Sequence, residues 1–472
     1  MHSDAVVRLA LDTVRAGSAG PGACAGEAGD ETCGDRVRIE LAVTGGRIVQ
    51  ARHRSRACPH ATAGAALVCA LAEGRELLDA ARIGASEIDA ELRPDSGGRE
   101  CALLAVDALH AALAGALERW QLPPQEGRVA VAMSGGVDSA VALLKSVEAG
   151  FEPVGVTLRL WIDPEAPDSE RACCSPQSVR AARSACHALG VPHLTLDLRR
   201  PFREQVVEAF VRDHAAGLTP NPCVRCNGRF RFEALAALAD QVGAPHLATG
   251  HYARTVRRQG RTLLARGLDE TKDQSYMLAT VPPRILERVW FPLGEQRKTA
   301  TREQARDAGL AAAGRAESQE VCFVGGGDHR AFLERHGGAG KAGAIVDSEG
   351  RELGRHDGVH RFTAGQRRGL RVGGGDALYV ISTDAATGTV VAGHRGQLQT
   401  TAVRVSPGAL HTSPGRVSAK LRYRSPAVDA TVVAEPGGFR LELAEPVPGA
   451  APGQAAVLYD GDVVVGAGII TA

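Results

Sequence analysis

Three cysteines stand where sulfur chemistry could be done. Cys223 and Cys226 form a C-x-x-C pair inside TPNPCVRCNGRF (219–230), and Cys322 follows in ESQEVCFVGGGDHRAFL. A zinc ribbon needs a second such pair, and the sequence has none. That leaves a dithiol redox pair or a nucleophilic thiol with a neighbour, set against the plainer reading of small buried cysteines. A free thiol ionises near pH ~8.5, so a chemical role requires amides or cations close by. Pro220 and Pro222 bracket Asn221 and stiffen the segment.

A phosphate site is the second candidate. In GRVAVAMSGGVDSAVALL (127–144), Arg128 to Met133 has the alternation of a buried strand, Ser134-Gly135-Gly136 is a turn, and a helix begins near Asp138. Strand, glycine turn and helix start aim several unsatisfied backbone N–H groups at one spot. Ser134 and Ser139 add hydroxyl donors. This is not a Walker A loop, because no Lys-Ser or Lys-Thr follows the glycines. GGAGK at 337–341 runs on into Ala342 without a convincing preceding strand, and reads as a flexible loop.

The third set is N-terminal. Cys33 and Asp35 precede an alternating strand pattern, Cys58 follows a second, and Cys101 opens a helical pattern. Three thiolates and a carboxylate gathered by the fold suit zinc or an iron–sulfur cluster, whereas lone cysteines are commonly buried hydrophobes. Cys69, on an apolar helix face, takes the second reading.

These residues need elements to position them. After a Gly/Ala-rich start, Val37–Val43 and Arg47–Arg54 flank Thr44-Gly45-Gly46 as a hairpin, and helices follow at about 60–73 and 99–118. This is a small α+β unit (1–121), closed by a Leu122-Pro123-Pro124 linker. From 126 to 323 strands alternate with helices: Pro153–Trp161, Pro176–Leu189, Val191–Leu198, Phe202–Ala215, Phe230–Val242 and His246–Gly250. Such alternation predicts a parallel, doubly wound α/β sheet whose ligands sit at the carboxyl ends of its strands. There Ala132, Met133, Ser134, Gly135, Gly136, Val137, Asp138 and Ser139 share a crevice with Leu158 and Gly250. Residues 324–400 read as a small β-rich unit, and 401–472 as an antiparallel β-barrel of short strands.

Composition bounds the rest. With 44% hydrophobic and 23% charged residues among 472, the chain is a multidomain globular protein. Net charge is +1, so a nucleic-acid surface must be local; RFTAGQRRGLR (361–371), with four arginines and no acid, qualifies, as does a solvated loop. MHSDAVVRLALDTV lacks the basic start of a signal peptide, and Cys101–Leu117, interrupted by Asp107 and His110, is read as too short for a membrane span. Eleven cysteines without an export signal point to a reducing, cytoplasmic setting.

Taken together the motifs resemble two families. AMSGGVDS, the CCS at 173–175, TPNPCVRCN, ATGHYAR, KDQSYML, ESQEVCF and GQRRGL appear in the order found in bacterial tRNA-specific 2-thiouridylases (MnmA), over about 126 to the C-terminus. SGGVDS on its own resembles the PP-loop of ATP pyrophosphatases. TCGDRVRIELAV, ACPHATAGAA and RECALLAVDALHAAL resemble the three motifs of NifU/IscU-type iron–sulfur scaffolds.

The first resemblance implies a tRNA-uridine 2-sulfurtransferase using ATP and Mg²⁺ on the wobble uridine of tRNA (lysine, glutamate and glutamine isoacceptors), fed by a cysteine desulfurase or other sulfur donor. It implies that Cys322 carries a persulfide, that Cys226 completes sulfur release by forming a disulfide, and that Asn221, Pro222, His251, Lys272, Asp273, Gln274, Arg422, Tyr423 and Gln454 contact tRNA. A strand end and a helix cap are the plainer readings of His251 and the 272–274 run, as a half-buried strand aromatic is of Tyr423. Family members carry Asp or Cys at position 223; Cys223 removes an acid/base group and supplies a third thiol. Cys223, Cys226 and Cys322 could then hold a [4Fe–4S] cluster with one open iron, the alternative to the favoured persulfide route. Cys173 and Cys174 keep a structural reading.

The second resemblance implies Cys33, Asp35, Cys58 and Cys101 as ligands of zinc or an iron–sulfur cluster. Glu100 replaces the histidine of many scaffolds, which favours zinc or a persulfide-receiving site over a transferable cluster. The rival functions are a PP-loop thiolase of another base, an amide-forming ligase, which has no use for paired thiols, and an iron–sulfur carrier, which has no use for SGGVDS.

Overall fold

The computed structural model describes residues 3–471 apart from 31–32, 167–174, 315–320, 325–327 and 373–376. Cys173, Cys174 and the Glu317–Glu320 part of ESQEVCF lie outside the described residues.

The N-terminal unit is a three-stranded antiparallel sheet, β1 (Cys24–Gly29), β2 (Arg36–Thr44) and β3 (Arg47–Arg56), covered by the Pro59–Ala72 and Ser96–Leu117 helices. β1 and a short helix, Asp4–Ala10, stand in the Gly/Ala-rich start, where the sequence reading places no element. CAGEAG has little hydrophobic signal because β1 needs small residues: a Cβ on Gly26 would lie 2.2 Å from the Ala108 carbonyl oxygen of the covering helix. Ser96–Leu117 is also long and apolar enough to cross a membrane, contrary to the sequence reading; 67% of its apolar window is buried in this fold. Apolar residues on both sides of it explain that composition, since one face meets the sheet and another meets the next domain.

The second unit has five parallel strands in the order β10-β7-β4-β5-β6: β4 (Arg128–Ala132), β5 (Glu152–Arg159), β6 (His193–Asp197), β7 (His246–Thr249) and β10 (Val289–Trp290). Val137–Glu148 and Pro176–Ala188 are among the crossover helices, as the strand–helix alternation predicts. The expected Phe202–Ala215 helix is instead three pieces, Arg199–Phe202, a π-helical turn at Arg203–Val207, and Glu208–Ala215. A hairpin, β8 (Ala253–Arg258) and β9 (Arg261–Arg266), leaves this unit and joins the C-terminal sheet through Ala265 and Val463.

Two β units follow. β11 (Gly343–Val346), β12 (Glu352–His356), β13 (Tyr379–Asp384) and β14 (Thr389–Gly393) form one sheet. β15 (Gln399–Leu410), β16 (Arg416–Lys420), β17 (Val428–Glu435), β18 (Gly438–Pro448), β19 (Ala455–Asp460) and β20 (Val463–Ile470) form a barrel closed by β15–β20 pairing, which leaves no edge between them.

Candidate active site

The turn after β4 leads directly into a helix N-terminus, the geometry that an anion cradle requires. Gly135 has φ +75°, open to glycine at little cost, and turns the chain into the Val137–Glu148 helix. The Ser139 hydroxyl accepts from Ser134 N–H at 3.2 Å and donates to the Gly136 carbonyl at 2.9 Å, while Gly136 N–H donates to Ser134 Oγ at 3.4 Å. The two serines therefore fix the loop itself. Gly250, after β7, presses on the helix start: a Cβ there would lie 2.7 Å from the Asp138 carbonyl carbon and 2.8 Å from Ser139 N. Ala132–Ser139, Leu158 and Gly250 are thus brought to the carboxyl ends of the adjacent strands β7, β4 and β5.

Lys298 is the residue the sequence reading missed. Its Nζ lies 2.6 and 2.7 Å from the two carboxylate oxygens of Asp138, and its side chain is 8% exposed. Tyr252 Oη donates to Asp138 at 3.0 Å and lies 2.8 Å from Thr301 Oγ1. Burial pushes the Tyr252 phenol above its ordinary range, so it stays a donor. One signal existed: Lys298 opens the Lys298–Asp307 helix, where a cation opposes the dipole and so asks for a compensating acid.

The C-x-x-C segment forms the Pro222–Arg225 helix, capped by Asn221 Oδ1 accepting from Cys223 N–H (3.1 Å) and Val224 N–H (3.4 Å). It continues as a π-helical turn, Cys226–Phe230, into the Arg231–Gln241 helix, so helix begins earlier than Phe230. Gly228 is required by close approach, since a Cβ would lie 1.7 Å from Thr280 Oγ1. Cys226 is buried, and Arg231 Nε donates to its sulfur at 3.2 Å. A guanidinium there favours the thiolate, supplying the expected cation. Burial, helped by the same arginine, holds His251 down to about pKa 4, neutral between Phe232 and Phe291, with Nδ1 2.9 Å from Thr249 Oγ1.

Cys322 sits on a 3-10 turn, Cys322–Val324, half-buried. Phe202 joins the two thiol segments: its ring centroid is 5.5 Å from Phe230, at the end of the Cys226 turn, and 5.9 Å from Phe323, next to Cys322. Asp163 N–H donates to the Phe323 carbonyl at 3.0 Å, tying that turn to the chain after β5. Among the described residues, Cys223, Cys226 and Cys322 are not gathered into a set of ligating atoms within 4.8 Å. Among the described residues the three thiols form no preset cluster cradle.

Such a set does exist in the N-terminal unit. Asp35, Cys58 and Cys101 place one ligating atom each within 4.8 Å of one another. Asp35 Oδ1 accepts from Cys58 N–H at 3.0 Å, while Oδ2 is buried and accepts no hydrogen bond among the described residues. A carboxylate with one buried, unpartnered oxygen, grouped with two sulfurs, fits a thiophilic cation. Cys33 is exposed and outside this set, though near enough for its charge to act on Cys101. Burial and the neighbouring Cys58 and Asp35 push the Cys101 thiol up to about 12, the situation a bound cation reverses.

The remaining expected contacts already have protein partners. Asp273 accepts from Gly267 N–H and Ser275 N–H, each at 3.1 Å, and Gln274 Oε1 accepts from Tyr252 N–H at 2.9 Å. Arg422 Nη2 donates to the Ala364 carbonyl at 2.8 Å, and Gln454 Nε2 donates to the Thr219 carbonyl at 2.7 Å. Arg422 and Gln454 tie the barrel to its neighbours. Tyr423 packs 5.7 Å from Tyr276, with Lys420 5.7 Å over its ring. Pro222 is buried, and Lys272 lies on the turn before Asp273.

Comparison with known proteins follows this division. Residues 127–326 match the family described as tRNA methyl transferase HUP domain, 330–394 its PRC-barrel domain, 396–470 an aminomethyltransferase beta-barrel domain, and 3–121 a NifU-like N terminal domain. The chain is 42% identical to a bifunctional protein NifU/MnmA of Rubrobacter xylanophilus, over 98% of this chain and 97% of that one. It is 43% identical to a tRNA-specific 2-thiouridylase MnmA of Acidithiobacillus ferrooxidans, over 72% of this chain and 97% of the relative. A Roseiflexus tRNA-specific 2-thiouridylase MnmA is 41% identical over 73% of this chain and 99% of its own.

Proposed function

Since the chain belongs to the tRNA-specific 2-thiouridylase family, in its form fused to an N-terminal NifU-like domain, we propose that it is the tRNA-uridine 2-sulfurtransferase of the wobble position, acting in the cytoplasm. It is a tRNA-thiolating enzyme with a sulfur or iron–sulfur delivery domain, and it uses ATP through its PP-loop. The observation that carries the finer reading is the Phe202 contact with both thiol-bearing segments, at the carboxyl end of the sheet that holds the anion loop.

The C2 oxygen of uracil is a poor leaving group, so it is first adenylated. ATP enters with Mg²⁺ as its counter-ion, and pyrophosphate leaves into the amides at the start of the Val137–Glu148 helix, in a turn that the Ser134 and Ser139 hydroxyls hold in place. The Lys298–Asp138 pair keeps the helix start rigid during this step. The terminal sulfur of a Cys322 persulfide then attacks C2, and AMP departs. The Cys226 thiolate, held by Arg231, attacks the Cys322 sulfur; the S–S bond to the product breaks and a Cys226–Cys322 disulfide forms. A thiol reductant resets the pair.

His251, Lys272, Tyr423 and the arginines of 361–371 are the tRNA-facing residues of this reading, with phosphate contacts from the arginines and stacking from Tyr423. Asn221, Pro222, Asp273, Gln274, Arg422 and Gln454 act by shaping that surface. The lysine, glutamate and glutamine tRNAs are the proposed substrates, and a cysteine desulfurase the proposed donor. In the N-terminal unit, Asp35, Cys58 and Cys101, with Cys33 beside them, are the residues to hold zinc or a cluster, which would keep the thiols ionised.

The test is release of AMP and pyrophosphate that depends on added tRNA. Tight dependence on a tRNA with uridine at the wobble position supports the reading, and equal release with tRNA lacking it contradicts it.

A further inference from the structure

Side chains tie the Ser96–Leu117 helix, which carries Cys101, to the Pro176–Ala188 helix of the PP-loop domain, and these contacts give their relative direction. Arg180 Nη1 donates to Glu100 at 2.8 Å and Nη2 to Asp107 at 2.8 Å. One turn on, Arg183 Nη1 donates to Asp107 at 2.8 Å. Further on again, the His110 and His187 rings are 5.9 Å apart. Residue numbers rise together along both helices, so they run parallel. Pro176–Ala188 connects the carboxyl end of β5 to the amino end of β6, and so descends from the nucleotide side of the sheet to the opposite side.

The height of Cys101 follows. His110 Nδ1 lies 3.0 Å from the carbonyl of His193, the first residue of β6. Climbing the helix from His110 to Cys101 gains about 14 Å at 1.5 Å per residue. Climbing β6 from His193 to Asp197 gains about 13 Å at 3.3 Å per residue. Asp35, Cys58 and Cys101 therefore sit level with the carboxyl ends of the strands, on the side that holds the anion loop and the thiol segments.

Resting on the reading of the N-terminal unit as a delivery domain, we infer that delivery is within one chain, and that Arg180 is the residue that positions the scaffold for it by bridging Glu100, next to Cys101, to Asp107. The step is a persulfide exchange. The Cys322 thiolate attacks the outer sulfur of a persulfide on a scaffold thiol, the old S–S bond breaks, and the scaffold thiolate leaves. No oxidant or reductant is consumed.

Two full-length variants, Cys101→Ser and Cys322→Ser, are assayed alone and mixed, with sulfur supplied by a cysteine desulfurase and cysteine. Tethering gives a roughly millimolar effective concentration, so at about 1 µM protein the mixture should stay about 10³-fold below wild type. Recovery in the mixture towards the wild-type rate overturns transfer within one chain. A wild-type rate for Cys101→Ser alone overturns the delivery reading itself. For Arg180, the readout is the ratio of desulfurase-fed thiolation to thiolation fed by sulfide, which attacks the adenylated C2 directly and displaces AMP without a persulfide, with sulfane-sulfur label followed on the Cys322 peptide. Arg180→Glu should lower the fed rate and the label while sparing the sulfide-fed rate, and Glu100→Arg in the same chain should restore part of the loss. An equal fall of both rates would make Arg180 merely structural and overturn its assignment.

Discussion

The ammonium of Lys298 sits 2.6 and 2.7 Å from the two carboxylate oxygens of Asp138, a residue 160 positions earlier, and so joins the helix that begins at the anion loop to the Lys298–Asp307 helix. The pair is shielded on the lysine side, with 8% of that side chain exposed, and half-open on the aspartate side, with 33%. Lys298→Met should lower kcat/KM for ATP by about 10²-fold. It should also cost about 2 kcal/mol of stability, below the range for a fully buried pair because Asp138 keeps solvent. Pyrophosphate release and denaturant melts check both.

How much of this was legible depends on range. The anion loop could be read because strand alternation, glycine turn and helix start are adjacent in sequence, and each carries its own local signal. Asp35, Cys58 and Cys101 were legible as residue types, but only folding shows them within 4.8 Å of one another with Cys33 outside. Lys298 was legible only as a cation at a helix start that asks for an acid; which acid it takes is a tertiary choice that no local pattern encodes. The β1 strand was missed because the close approach of the Ser96–Leu117 helix demands glycine and alanine, residues that look like linker. Arg231 lies just beyond the C-x-x-C motif, yet its bond to Cys226 depends on a π-helical turn that shifts the usual helical spacing.

At Gly250 the prediction is steric. Any Cβ meets backbone of Asp138 and Ser139 at 2.7–2.8 Å, and backbone has no rotamer to yield. Gly250→Ala should destabilise by about 1–3 kcal/mol and raise KM for ATP more than it lowers kcat. Unchanged ATP kinetics would show that the helix start tolerates displacement.

Arg231→Met removes the cation from Cys226 while keeping the volume. The pH profile of Cys226 alkylation should move to higher pH, and each unit of movement slows alkylation at neutral pH about tenfold. An unmoved profile would assign thiolate stabilisation elsewhere.

In the scaffold unit, Glu40 accepts from Ser18 Oγ (2.6 Å), Ala19 N–H (3.1 Å), Arg38 Nε (2.9 Å) and Arg54 Nη2 (3.1 Å). The Ser18 hydrogen bond and these other donors bring its carboxyl down to about 2. A depressed folded value means that ionised Glu40 stabilises the fold above its unfolded pKa of roughly 4.3, and that this contribution is lost as pH falls through the folded value. The stability gap between wild type and Glu40→Gln should therefore narrow between about pH 5 and pH 2. Circular dichroism melts across that window measure it; a constant gap would contradict the assignment.

The most direct measurement of the central claim is nucleoside mass spectrometry of tRNA from a strain lacking this gene and complemented with wild type, Cys226→Ser or Cys322→Ser. The account predicts 2-thiouridine derivatives at the wobble position with wild type and their loss with either variant. Thiolated wobble uridine persisting in the uncomplemented strain, or restored by either variant, would contradict it.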